Sequence, residues 1–110
     1  VDLEQAEGVE LPFWGPEERS WFIYYVRLAD GIDRYAVAAR LAARGVAGRP
    51  YLPAIHLQPP YRARFGYSEG MLPVTERVSR STLALPFYVQ LEDDDIAYVA
   101  NALREVLAEQ

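Results

Sequence analysis

The chain has 110 residues, 51% of them hydrophobic and 25% charged, enough for one domain with a modest core of its own. It has no cysteine, which excludes disulfides, a thiolate nucleophile and cysteine-type zinc sites, and all eleven of its basic residues are arginine, so no side chain can form a Schiff base. The net charge of −5 is unevenly spread: residues 1–18 carry six acids and no base, residues 19–80 ten arginines against four acids, and residues 81–110 six acids and Arg104. The overall acidity argues against a nucleic-acid binder, although a basic middle suits either a phosphate-bearing ligand or a solvated face with scattered ion pairs. No apolar run approaches the ~18–20 residues of a membrane span and the start has no signal-peptide pattern, so a cytoplasmic protein is expected.

The chain starts at Val1 with an acidic, weakly patterned lead, which reads as a processed protein or a piece of a longer one. Leu11-Pro12-Phe13-Trp14-Gly15-Pro16 reads as a loop whose aromatics cover the core. Ser20–Leu28 (SWFIYYVRL) is the strongest strand signal, with Trp21, Ile23 and Tyr25 on one face and Phe22, Tyr24, Val26 and Leu28 on the other. Two apolar faces predict a central strand covered on both sides for part of its length. A helix follows over Asp33–Ala43, capped by Asp30 or Asp33 and stopped by Gly45, with Ala38, Leu41 and Ala42 on its apolar face, Tyr35 near the edge of that face, and Arg40 and Arg44 as a solvated cationic end.

Proline punctuates the middle. Ala54–Gln58 is predicted extended, Pro59–Met71 a loop, Leu72–Arg80 a helical turn or two with Glu76 early in it, and Ser81–Leu85 a short strand ended by Pro86. Asp93–Leu107 is the clearest helix. Ile96, Val99, Ala100, Leu103, Val106 and Leu107 keep one face apolar, and the three aspartates at its start suit the positive end of the helix dipole better than a metal. The order predicts an α+β fold, a small, mainly antiparallel sheet with helices packed on one face.

One histidine and no cysteine leave too few ligands for a transition metal, no nucleophile turn surrounds Ser68, and Gly45, Gly48, Gly66 and Gly70 form no phosphate loop. What remains is a stretch rich in hydrogen-bonding groups: His56, Gln58, Tyr61, Arg62, Arg64 and Tyr67. Neutral imidazole and amide groups suit sugar hydroxyls and guanidinium forks suit phosphate. His56 alone reads equally well as a structural histidine.

Three segments carry a resemblance: Tyr51-Leu52-Pro53-Ala54-Ile55-His56-Leu57-Gln58-Pro59-Pro60-Tyr61-Arg62, Leu72-Pro73-Val74-Thr75-Glu76-Arg77, and Leu83-Ala84-Leu85-Pro86-Phe87-Tyr88. In this order and spacing they resemble the C-terminal small domain of the DegT/DnrJ/EryC1/StrS sugar aminotransferases, pyridoxal-phosphate enzymes of the aspartate-aminotransferase fold. The resemblance implies a lead segment, 1–19, connecting from a missing N-terminal large domain, and a small domain over 20–110. It further implies a homodimer that moves an amino group from glutamate to a nucleotide-linked keto-sugar, with pyridoxal phosphate and its lysine in the large domain. By motif position His56 lines the sugar pocket, with Gln58 and Tyr61 behind it, while Glu76 and Leu83–Pro86 hold the domain together. Where the family's last helix often opens with Ser or Thr, Glu92 stands here as a weaker cap. Such a chain is catalytically silent alone. The competing expectation is a free-standing module that binds a nucleotide or sugar phosphate without catalysis.

Overall fold

The computed structural model describes residues 6–12, 16, 20 and 22–109. Most of the acidic lead, the aromatics Phe13 and Trp14, and Trp21 lie outside the described residues, and so does what was expected of them. Among the described residues, four short strands form one antiparallel sheet: β1 (Val9–Glu10), β2 (Tyr24–Leu28), β3 (Arg49–Pro50) and β4 (Thr82–Leu85), in the order β1-β2-β4-β3. The α+β class and the antiparallel sheet are those the sequence predicts. The strand signal over 20–28 is realised only from Tyr24 onward, and β2 is central as expected, between β1 and β4.

Alternation along β2 divides the protein in two. Val26 and Leu28, with Leu83 and Leu85 of β4 on the same face, enter a core closed by α1 (Arg34–Ala43) and α4 (Asp93–Ala108). Helix α1 contributes Val37 and Leu41, and α4 contributes Ala100, Ala102, Leu103, Val106 and Leu107. The stripe expected on α1 shifts by one position: Val37 is the buried partner of Leu41, while Ala42 and Tyr35 are exposed. On α4, Ile96 at the start of the stripe is also exposed, because the first turn runs past the edge of the core.

The caps explain where these helices begin. Asp33 Oδ1 accepts from the amides of Tyr35 and Ala36, 2.9 and 3.3 Å away, which makes Asp33 rather than Asp30 the cap of α1. At α4 Asp95 reaches back to the Glu92 amide at 3.3 Å, so the acidic start serves as a helix cap. Arg44 corrects the expectation of a solvated cationic end. Its guanidinium crosses to Glu105 and to Glu109, 2.6 Å from the latter, and its carbonyl accepts from the Tyr98 hydroxyl at 2.6 Å, tying the end of α1 to α4. Exposed pairs of this kind contribute little. Arg44→Ala is expected to cost no more than about 1 kcal/mol per ion pair lost, less still at high salt, in urea titrations at two ionic strengths.

The middle of the chain differs most from expectation. Ala54–Gln58 is not a strand: Ile55–Leu57 form a 3₁₀ turn, with the Leu57 and Gln58 amides bonded to the Ala54 and Ile55 carbonyls, and pairing with β4 occurs earlier, at β3. Pro59–Met71 is not all loop. Pro59–Phe65 form helix α2, because proline is well suited to the first helical positions, where no amide partner is needed. Gly66, at φ 70°, closes it, its amide donating a hydrogen bond to the Arg62 carbonyl. Helix α3 (Pro73–Ser81) begins in the same manner and leads directly into β4.

A groove on the open face of the sheet

The second face of the sheet, carrying Ile23, Tyr25, Arg27 and Thr82, is not closed by α1 and α4. With the 3₁₀ turn, α2 and α3 it bounds an open groove of about 1150 Å³. Its walls are mostly apolar and aromatic: Tyr51 and Leu52 from the approach to the 3₁₀ turn and Ile55 from the turn itself, Tyr61 and Phe65 from α2, Tyr67, Met71 and Leu72 from the following loop, Val74 and Val78 from α3. Many of these are exposed, Leu52, Ile55, Phe65, Met71, Leu72 and Val74 among them. So large an uncovered apolar surface is unusual for a free-standing domain and marks a place where something else packs or binds.

The candidate residues stand in unequal relation to this groove. His56 lines it but is only 7% exposed, with Nε2 3.2 Å from Glu76 Oε2. Tyr61 lines it with 45% of its surface open. Gln58 is half-buried, its amide 3.5 Å from the Ala54 carbonyl, and it is not a lining residue. The structure therefore brings His56 and Tyr61 together at the groove and leaves Gln58 behind the wall.

Glu76, expected to serve the fold, is the partner that sequence reasoning missed. It stands in the first turn of α3, 4% exposed, and accepts from the Gly70 amide at 2.8 Å and the Leu72 amide at 3.0 Å besides facing His56. The Gly70 amide above all, then the Leu72 amide and the imidazole, hold its carboxyl below the ordinary glutamate range against the opposing effect of burial. An acid placed to reach back from a first turn was legible; its link to a histidine twenty residues away was not.

Among the described arginines of the middle segment, Arg27 lines the groove and the others do not. Arg34 donates to the Ser79 carbonyl and, at 3.0 Å, to that of Thr82; Arg27 pairs with Glu10 at 3.2 Å and Arg77 with Asp30 at 3.6 Å. Arg62 and Arg64 are exposed on α2, the latter with its guanidinium 5.5 Å from the centre of the Phe65 ring. Among the described residues no group of three or more His, Cys, Asp or Glu side chains is placed to hold a metal, and no helix is long and apolar enough to cross a membrane.

The sequence model of the DegT/DnrJ/EryC1/StrS aminotransferase family matches residues 2–104. The chain belongs to this family. Among solved structures this aminotransferase domain is similar to the aminotransferase TlmJ from Streptoalloteichus hindustanus, at 34% identity and a TM-score of 0.82, covering 98% of this chain and 28% of that one. It is also similar to DesV from S. venezuelae, solved in complex with a ketimine intermediate, at 32% identity and a TM-score of 0.81 over 99% of this chain and 29% of that one. The spore coat polysaccharide biosynthesis protein SpsC of Bacillus subtilis is 28% identical over 111 residues, 96% of this chain and 28% of its own length. The domain thus spans less than a third of the length of these relatives.

Family membership brings pyridoxal phosphate into question, and the residues present do not fit it. The chain has no lysine to bind the cofactor covalently, and among the described residues no carboxylate lines the groove to face a pyridine nitrogen.

Proposed function

We propose that this domain is the C-terminal small domain of a pyridoxal-phosphate-dependent nucleotide-sugar aminotransferase, in which it supplies pocket and interface residues while a large domain supplies the cofactor site. The observation that carries this reading is the groove: an apolar, aromatic-lined face that the chain's own helices leave open, in a chain matching under a third of each relative. A surface of this size and character suits burial against a larger body. The full enzyme would transfer an amino group from glutamate to a keto-sugar, act in the cytoplasm and assemble as a homodimer. Within it Tyr61 offers an exposed hydroxyl to the sugar, His56 forms the fixed wall behind it, and Gln58 braces the 3₁₀ turn. Among the described arginines only Arg27 lines the groove, and it is paired with Glu10, which favours this reading over a free-standing phosphate-binding module.

Two measurements test it. Pyridoxal phosphate added to the 110-residue chain and treated with borohydride is expected to leave no side-chain adduct by mass spectrometry; a stoichiometric one would refute the assignment of the cofactor to another domain. In the full-length enzyme His56→Ala is expected to lower kcat/KM for the sugar about tenfold or more, the loss of ~1.4 kcal/mol typical of one hydrogen-bonding group, while cofactor retention stays near wild type. Equal loss of both would count against a pocket role.

A further inference from the structure

The Glu76 carboxylate joins three parts of the groove wall: α3, which carries it; the 66–72 loop, through the amides of Gly70 and Leu72; and the 3₁₀ turn, through His56. An ionised carboxylate only accepts hydrogen bonds, so the imidazole proton shared with it belongs on Nε2. The other ring nitrogen, Nδ1, is buried and has no hydrogen-bond partner among the described residues. A proton on Nδ1 would be an unsatisfied buried donor, so the Nε2–H tautomer is favoured over the Nδ1–H one.

We propose that Glu76 is a positioning residue: it fixes His56 as the Nε2–H tautomer and fastens the 66–72 loop to it, so that the wall bearing His56, Tyr67, Met71 and Leu72 is set as one unit before a substrate enters. The consequence for catalysis rests on the reading of the groove as substrate-facing, while the lock itself does not. A wall organised in advance removes an ordering cost from binding, and a ring that cannot flip presents one edge and one face to its neighbours.

Because the chain has a single histidine, ¹⁵N-histidine labelling of the chain gives one imidazole signal set. At neutral pH the wild type is expected to show protonated Nε2 and bare Nδ1. In Glu76→Gln, whose side chain is uncharged and can donate as well as accept, the two nitrogens should move toward an averaged mixture. An Nδ1–H form in the wild type overturns the proposal, and so does an unchanged Nε2–H form in a folded Glu76→Gln. Where that variant fails to fold, the wild-type spectrum decides alone. In the full-length enzyme, with His56→Ala lowering sugar kcat/KM about tenfold, adding Glu76→Gln should lower it by less than Glu76→Gln does alone, because the two changes share the His56 link while the Gly70 and Leu72 bonds belong to Glu76 only. Multiplying losses overturn the link. Unaltered kinetics in both single variants, with the tautomer locked, sink the substrate-facing reading and leave the lock standing.

Discussion

Leu103→Ala is expected to lower the unfolding free energy of the domain by about 2–5 kcal/mol, the range for a leucine truncated in a core that cannot collapse around the gap. Leu103 is fully buried in the middle of α4, in the same cluster as Val26 and Leu28 of β2, Leu83 of β4 and Leu41 of α1. It therefore contributes to the contact between the layers rather than to the helix alone. Against a total of roughly 5–15 kcal/mol for a domain of ordinary stability, such a loss is large. The midpoint of a urea titration would report it directly, with an unchanged slope if the unfolded state is unaffected. A loss below about 1 kcal/mol would mean that α4 does not close the core as described.

Acid is expected to undo the Glu76 anchorage. A carboxyl whose native pKa lies below its unfolded value, about 4.3 for glutamate, stabilises the fold fully above that value. The contribution is lost as the pH falls through the lower native pKa, since the protonated acid no longer serves the Gly70 and Leu72 amides and His56 as an ionised acceptor. Glu76→Gln lacks this titration. Below pH 5 the stability gap between wild type and Glu76→Gln should therefore narrow steadily as the acid titrates. His56, the titratable partner facing Glu76, is present in both proteins. Urea midpoints between pH 5 and pH 2.5 measure the gap; one that stays constant across this window would contradict the anchorage.

How legible the fold was depended on the range of the forces involved. Helix α4 keeps one apolar face over four turns, and β2 alternates between bulky side chains, so local pattern sufficed for both. Helix α2 is not legible locally because Pro59-Pro60 suits an end to regular structure as well as it suits a first helical turn, for which Gly66 supplies the matching stop. The 3₁₀ turn was missed for a related reason: proline restrictions on Pro53 and Pro59 suggested an extended segment, but they act on the residues before each proline and leave Ile55–Leu57 free to coil. At the site, residue type and motif position point to His56, Gln58 and Tyr61, of which His56 and Tyr61 line the groove and Gln58 does not. The partnership of His56 with Glu76 depends on how α3 docks beside the 3₁₀ turn, which no local pattern encodes.

The register of β3 against β4 carries a further consequence. Pro50 lies opposite Leu83, so the chain leaves the sheet and rejoins it at almost the same place, and the groove's 3₁₀ turn, α2, loop and α3 are built within this excursion. Its two ends are held by the sheet whatever lies between them, and lengthening a tethered detour raises its closure cost only slowly. Residues 51–81 are thus a detour anchored at both ends by the sheet, in which changes of length cost the framework little, while Arg34 to the Ser79 carbonyl and Arg77 to Asp30 fix where α3 lies against it.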